Sequence, residues 1–176
     1  MCGLFGWMTT GQADKTRYDL LPSLTKALVL LSEPRGKDSM GISYMTQGAQ
    51  EPTTLRVVGP ARRGLRAMAE PLQAAYQPGV QWLMGHTRSA TIGAVDVANA
   101  HPFLMGHTLG AHNGHITNYA ALNVDVSKYT LPGCDSAALI ALIDQLGPKE
   151  AIAEAFGTVN LTYSQPPWHH VVLYKE

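Results

Sequence analysis

Charge is scarce in this sequence of 176 residues. Only 15% of the chain is Asp, Glu, Lys or Arg, well under the roughly 25% of ordinary soluble proteins. The 13 basic residues are matched by 13 acidic ones. That balance leaves no electrostatic footprint for nucleic acid or an anionic membrane. Cysteine is scarcer still: Cys2 and Cys134 alone cannot build a disulfide framework, which fits a reducing cytosol. Long apolar runs are missing too. None approaches the 18 or more residues of a membrane span, and no basic segment leads into an apolar stretch as in a secretory signal. The expected location is cytoplasmic. Internal repeats and low-complexity tracts are absent, so disorder, coiled coil, membrane protein and disulfide scaffold are all excluded. What remains is 45% hydrophobic, with 17 Gly and 11 Pro. That is enough chain for one core and many turns. No break in composition divides it, and residues 1–176 read as a single domain.

The elements follow from periodicity and punctuation. Residues 1–8 read as a short apolar strand. A helix is expected over 18–32, where Leu20, Leu21, Leu24, Ala27, Leu28 and Leu31 recur at helical spacing until Pro34 stops it. Residues 42–45 and 55–58 read as strands, 61–76 as helix, 82–87 and 108–112 as strands. Asp135-Ser136 can cap a helix that Gly147-Pro148 closes near Leu146, and a second helix runs to about Phe156. Residues 159–163 and 170–174 alternate like two final strands. Strands at both ends around central helices point to layered α+β packing.

Several residues are candidates for chemistry, each with a plainer alternative. Cys2 becomes the true N-terminus if Met1 is removed, and its own α-amine, titrating near 7.7–8.0, can then serve as its base. The alternative is a small buried residue opening a strand. Asn113-Gly114 fits an oxyanion hole built from a side-chain amide and a backbone N–H, or a hairpin turn. Arg88, at the end of the 82–87 strand, suits a carboxylate clamp, with Thr91 adding a hydroxyl. Asp135 suits an ammonium acceptor, or a helix N-cap. Residues 97–124 hold four of the seven His and no Asp, Glu, Lys or Arg, as a water-poor pocket would. His86, His101, His107, His112 and His115 raise the question of zinc. Asp96 is the only carboxylate between the first and last of them, and no Cys joins them, so no metal is expected. Arg56, Arg62, Arg63 and Arg66 form the one basic concentration, a solvated face or a dock for an acidic partner. Cys134 reads as packing. A thiol, an oxyanion hole, a carboxylate clamp and an ammonium acceptor together describe a pocket for glutamine.

Six segments in order resemble the class II glutamine amidotransferase domains, whose nucleophile is an N-terminal cysteine. They are Cys2-Gly3-Leu4-Phe5-Gly6, Arg35-Gly36-Lys37-Asp38-Ser39-Met40-Gly41, Gly85-His86-Thr87-Arg88-Ser89-Ala90-Thr91, Asn99-Ala100-His101-Pro102, His112-Asn113-Gly114-His115 and Cys134-Asp135-Ser136. The resemblance implies an αββα sandwich of two stacked antiparallel sheets between helical layers, the fold of N-terminal-nucleophile hydrolases, here in a minimal version. It implies Cys2 as nucleophile and Asn113 and Gly114 as oxyanion hole. Arg88 and Thr91 are implied at the α-carboxylate of glutamine, and Gly114 and Asp135 at its α-amino group. Arg35 and His101 take supporting places, with Arg35 helping to orient the N-terminus. Three positions depart from the pattern: Ser89 where a bulky residue is usual, Ile92 where a polar one is, and Ala137 where an acid is.

The function expected on this basis is hydrolysis of glutamine to glutamate and ammonia through a cysteine thioester, with no cofactor. No segment reads as an acceptor domain, and no Gly-x-x-x-x-Gly-Lys loop is present. The expected arrangement is therefore a short stand-alone domain that delivers ammonia to a synthase or transferase subunit in trans. Two rivals stand beside it: a hydrolase of another amide on the same fold, and a catalytically silent binding or regulatory module.

Overall fold

The computed structural model describes residues 2–9 and 15–175, and side chains within 2–9 and 18–168; Met1, the first residue of the expected opening strand, lies outside them. The chain order is β1 (Gly3–Met8), α1 (Lys15–Ser32), β2 (Ser39–Thr46), β3 (Thr53–Val58), α2 (Ala61–Ala67), β4 (Val80–Arg88), β5 (Phe103–Met105), β6 (Thr108–Ile116), α3 (Asp135–Leu146), α4 (Pro148–Glu154), β7 (Gly157–Gln165) and β8 (His169–Lys175). The strands form two four-stranded antiparallel sheets, ordered β1-β4-β2-β3 and β5-β6-β7-β8. Helices α1 and α2 cover the outer face of the first sheet, and α3 and α4 that of the second. The fold is the expected α+β sandwich.

Strand alternation sorts the residues between layers. In β4, Leu83 packs toward α1 and α2, while Trp82 and Met84 meet Met45, Leu109 and Trp168 between the sheets. The same inward row continues through His86 to Arg88. The space between the sheets is therefore apolar at one end and polar at the other, and the polar end holds Cys2. In the second sheet, Phe103, Met105, Ile116, Val159, Leu161 and Tyr163 turn outward onto the buried residues of α3.

Three features differ from or add to the expected elements. Helix α1 forms, and of its leucine repeat only Leu21 and Leu28 pack on the sheet. The packed face is Tyr18, Leu21, Thr25, Val29 and Ser32, whereas Leu20 and Leu31 are 62% and 77% exposed. A sheet accepts one stripe, and a helix with leucines on several faces leaves some in water. The helix expected over 61–76 is broken: α2 ends at Ala67 and a 3-10 turn spans Pro71–Tyr76, because Pro71 cannot supply the N–H an α-helix needs there. Strand β5 was not expected at all; its three residues are too few for a period to show.

Candidate active site

Strand β1 places Cys2. Gly3 pairs with Thr87 at the end of the β1–β4 ladder, so Cys2 stands one step beyond it. There the Ser89 backbone N–H points at Cys2 Sγ from 3.2 Å, and the thiol lies 3.4 Å from Ser89 O. The Cys2 carbonyl accepts from Arg35 Nε at 2.8 Å and from Asn113 Nδ2 at 2.9 Å. Arg35 ends the 3-10 turn that follows α1. The next residue must be glycine, since a Cβ at Gly36 would press into the backbone of Thr87 and Arg88. Asp38 then fastens the segment after Arg88: its carboxylate accepts the Ala90 N–H at 2.8 Å, and its own N–H donates to Arg88 O at 3.0 Å. The Arg35–Asp38 segment thus props both Cys2 and the loop that faces it.

Asn113-Gly114 is no hairpin turn. Strand β6 runs through it, with Asn113 opposite Asn160 and Gly114 opposite Val159 of β7. A Cβ at Gly114 would collide with Thr158 O and His112 Nε2, so this close approach admits only glycine. The Asn113 amide is oriented by His86, whose Nε2 lies 2.9 Å from Asn113 Oδ1. Burial pushes the His86 pKa down to about 3, so the ring is neutral. Asn113 Nδ2 is turned toward Cys2, whose carbonyl it bonds, so Oδ1 faces the ring as acceptor and the imidazole proton is assigned to Nε2. His101, fully surrounded and also held neutral by burial, packs against His86 at 4.0 Å between ring centroids and against Phe103 at 4.5 Å, the planes tilted by 32° and 60°. It supports the ring that orients Asn113. His112 bonds instead to Ser136 Oγ at 2.9 Å and Thr158 O at 3.1 Å.

Arg88 is buried. Its Nη1 donates to Ala94 O at 2.7 Å and its Nη2 to Ile92 O, drawing residues 89–94 around the guanidinium. Two of its five N–H donors are thus spent on the loop. Asp135 is also buried, but it is not the helix cap. Cys134 occupies that position without a side-chain bond, and Asp135 Oδ2 accepts the Ile116 N–H at 2.9 Å, tying β6 to α3.

Cys2, Ser89, Thr91 and Gly114 form a neck between two spaces. Outside lies an open cleft of about 720 Å³, reaching Leu4, His115 and Asn160. Inside lies a cavity of about 20 Å³ walled by Arg88, Asp135, His101 and Cys134. The structure thus brings together Cys2, Asn113, Gly114, Arg88, Thr91 and Asp135, with Arg35 and His101 behind them. His107 and His115 are exposed; His107 stands apart, whereas His115 lines the outer cleft. Among the described residues no group of three or more His, Cys, Asp or Glu gathers as a metal ion would need. Sequence reasoning gave no role to His86 or Asp38. The signal for His86 was its place in the inward row of β4, two residues from Arg88.

No family model matches the chain. It is 33% identical over 146 residues to a glutamine–fructose-6-phosphate aminotransferase (isomerizing) of Acidithiobacillus ferridurans, covering 80% of this chain and 21% of that protein. The protein of the same name from Xylella fastidiosa strain Temecula1 is 38% identical over 131 residues, 73% of this chain and 19% of its own length. Human amidophosphoribosyltransferase is 29% identical over 156 residues, 85% of this chain and 29% of that protein. The chain therefore spans less than a third of these relatives. The solved structure of glutamine phosphoribosylpyrophosphate amidotransferase from B. subtilis, complexed with ADP and GMP, overlays with a TM-score of 0.58 at 20% identity, covering 93% of this chain and 34% of that one; it has the same fold. Fold, motif order and relatives together place the chain in the class II, N-terminal-nucleophile family of glutamine amidotransferase domains.

Proposed function

We propose that the domain hydrolyses the side-chain amide of glutamine, with Cys2 as nucleophile. The observation that carries this reading is the placement of one cation and one anion, Arg88 and Asp135, on a single inner cavity that opens at Cys2. An α-amino acid head needs both charges answered. Removal of Met1 frees the Cys2 α-amine, which takes the thiol proton. The thiolate adds to the amide carbon, and Asn113 Nδ2 and the Gly114 N–H receive the oxyanion. The α-ammonium returns its proton to the departing nitrogen, ammonia leaves, and a γ-glutamyl thioester remains. Water, deprotonated by the same amine, hydrolyses it to glutamate.

A cavity of about 20 Å³ holds little more than one water. Glutamine therefore enters as the loop 89–94 gives way, with Arg88 exchanging the Ile92 and Ala94 carbonyls for the substrate carboxylate. The ammonia passes to an acceptor outside these residues, and a separately encoded synthase or transferase is the form proposed. A pull-down that returns no partner, joined to rapid glutaminase activity of the domain alone, counts against that arrangement.

The 720 Å³ cleft favours a second reading, a hydrolase of a larger amide. Measuring glutamate and ammonia release separates the two. Glutamine turnover that vanishes in Cys2→Ala and shows a KM raised roughly 10-fold or more in Arg88→Lys and Asp135→Asn supports glutamine, because charged hydrogen bonds to the substrate are worth about 1.5–3 kcal/mol each. Turnover indifferent to Arg88 and Asp135 supports the larger amide.

A further inference from the structure

Among the four arginines of the basic concentration, Arg56 stands apart. Arg62 is spent on Glu33, with Nε 2.7 Å from Oε1 and Nη2 2.5 Å from it. Arg56 projects from β3, the edge strand of the first sheet, and its stem passes over Gly41: a Cβ there would lie 2.9 Å from Arg56 Cγ. The guanidinium makes a long bond, Nη1 to Ala100 O at 3.4 Å. No carboxylate among the described residues lies within ion-pair distance of it. Partial burial lowers its pKa, and the residue keeps an exposed face that a ligand can reach.

That guanidinium lines a cavity of about 370 Å³. Lys128 stands on the same wall, joined loosely to Asp125 at 3.5 Å with its side chain 64% exposed. Thr130 offers a hydroxyl, and the half-buried Leu104 and Pro132 give apolar surface. The nearby Asp144 carboxylate is already engaged by the His107 N–H, the Thr108 hydroxyl and the Tyr129 hydroxyl. We propose that this cavity binds a small phosphorylated molecule, with the Arg56 fork and Lys128 on the phosphate and Leu104 and Pro132 on the organic part. An arginine fork matches phosphate oxygens in pairs, and the volume falls within the range of small-ligand sites. The site is separate from Cys2 and stands whether or not glutamine is the substrate.

The test is titration of the ¹⁵N-labelled chain with inorganic phosphate and, separately, with glycerol 3-phosphate, followed by amide signals and calorimetry. The proposal expects saturable shifts at Ala98, Gly106 and Thr130 and tighter binding of the phosphomonoester. It expects affinity to fall about tenfold or more in Arg56→Gln and several-fold in Lys128→Gln, with no change in Arg62→Gln. Arg56→Lys, which keeps the charge and loses the fork, falls between wild type and Arg56→Gln and carries the test if Arg56→Gln does not fold. Inorganic phosphate binding as tightly as the ester removes the organic part of the claim. Shifts centred on Arg62 to Arg66, equal affinity in Arg56→Gln and Arg56→Lys, or no saturation with either probe overturns the site.

Discussion

Asn113 is gripped at both ends, its Oδ1 by His86 and its Nδ2 by the carbonyl of Cys2. In the proposed reaction the second grip is exchanged for the oxyanion, while the first keeps the amide from flipping. Loss of one oxyanion donor costs about 2.7–4 kcal/mol, so Asn113→Ala is expected to lose roughly 10²–10³ in kcat with KM little changed. Unaltered kcat in that variant removes Asn113 from the role. His86 acts only through Asn113. His86→Gln, which keeps a donor, is expected to retain more kcat than His86→Phe, and His86→Phe should add little to the loss in Asn113→Ala. Additive losses would show that His86 acts by another route.

Elements show how much of the site was legible in the sequence and where legibility stopped. Cys2, Arg88 and Asp135 could be singled out because their types and neighbours are unusual. Asn113-Gly114 stayed divided between turn and oxyanion hole, since the strand that contains it is completed by β7, whose partner residues lie more than 40 positions away. Asp135 stayed divided between ammonium acceptor and helix cap, because the Ile116 N–H that claims it comes from another element. In α1 the leucine repeat located the helix and could not tell which leucines are buried, because the face is chosen by the first sheet. Leu21→Ala, in the packed face, is expected to cost roughly 2–5 kcal/mol in chemical denaturation. Leu31→Ala should stay within about 0.5 kcal/mol. Equal losses would contradict the assignment of faces.

Over the whole molecule, the polar end of the sandwich is charge-poor by construction. His86 and His101 are held neutral by burial, which also lowers the pKa of His112, whereas an unfolded histidine titrates near 6.5. Their folded pKa values are depressed, so the stability they permit is fully present above about pH 6.5. As pH falls below that value the unfolded chain takes up protons that the folded chain refuses. Each such proton costs about 1.4 kcal/mol per pH unit. The melting temperature is therefore expected to fall steadily from pH 6.5 toward pH 4, more steeply than in His101→Phe if that variant folds. A melting temperature unchanged between pH 7 and pH 5 contradicts the buried, neutral histidines.

The most direct measurement of the central claim is the intact mass of the protein as made in cells, before and after incubation with the glutamine analogue 6-diazo-5-oxo-norleucine. Cys2 as a processed nucleophile at the mouth of a glutamine pocket predicts loss of Met1 and a single adduct that maps to Cys2, blocked by excess glutamine. A retained Met1 with no adduct would contradict it, and would leave the fold serving as a binding or regulatory module.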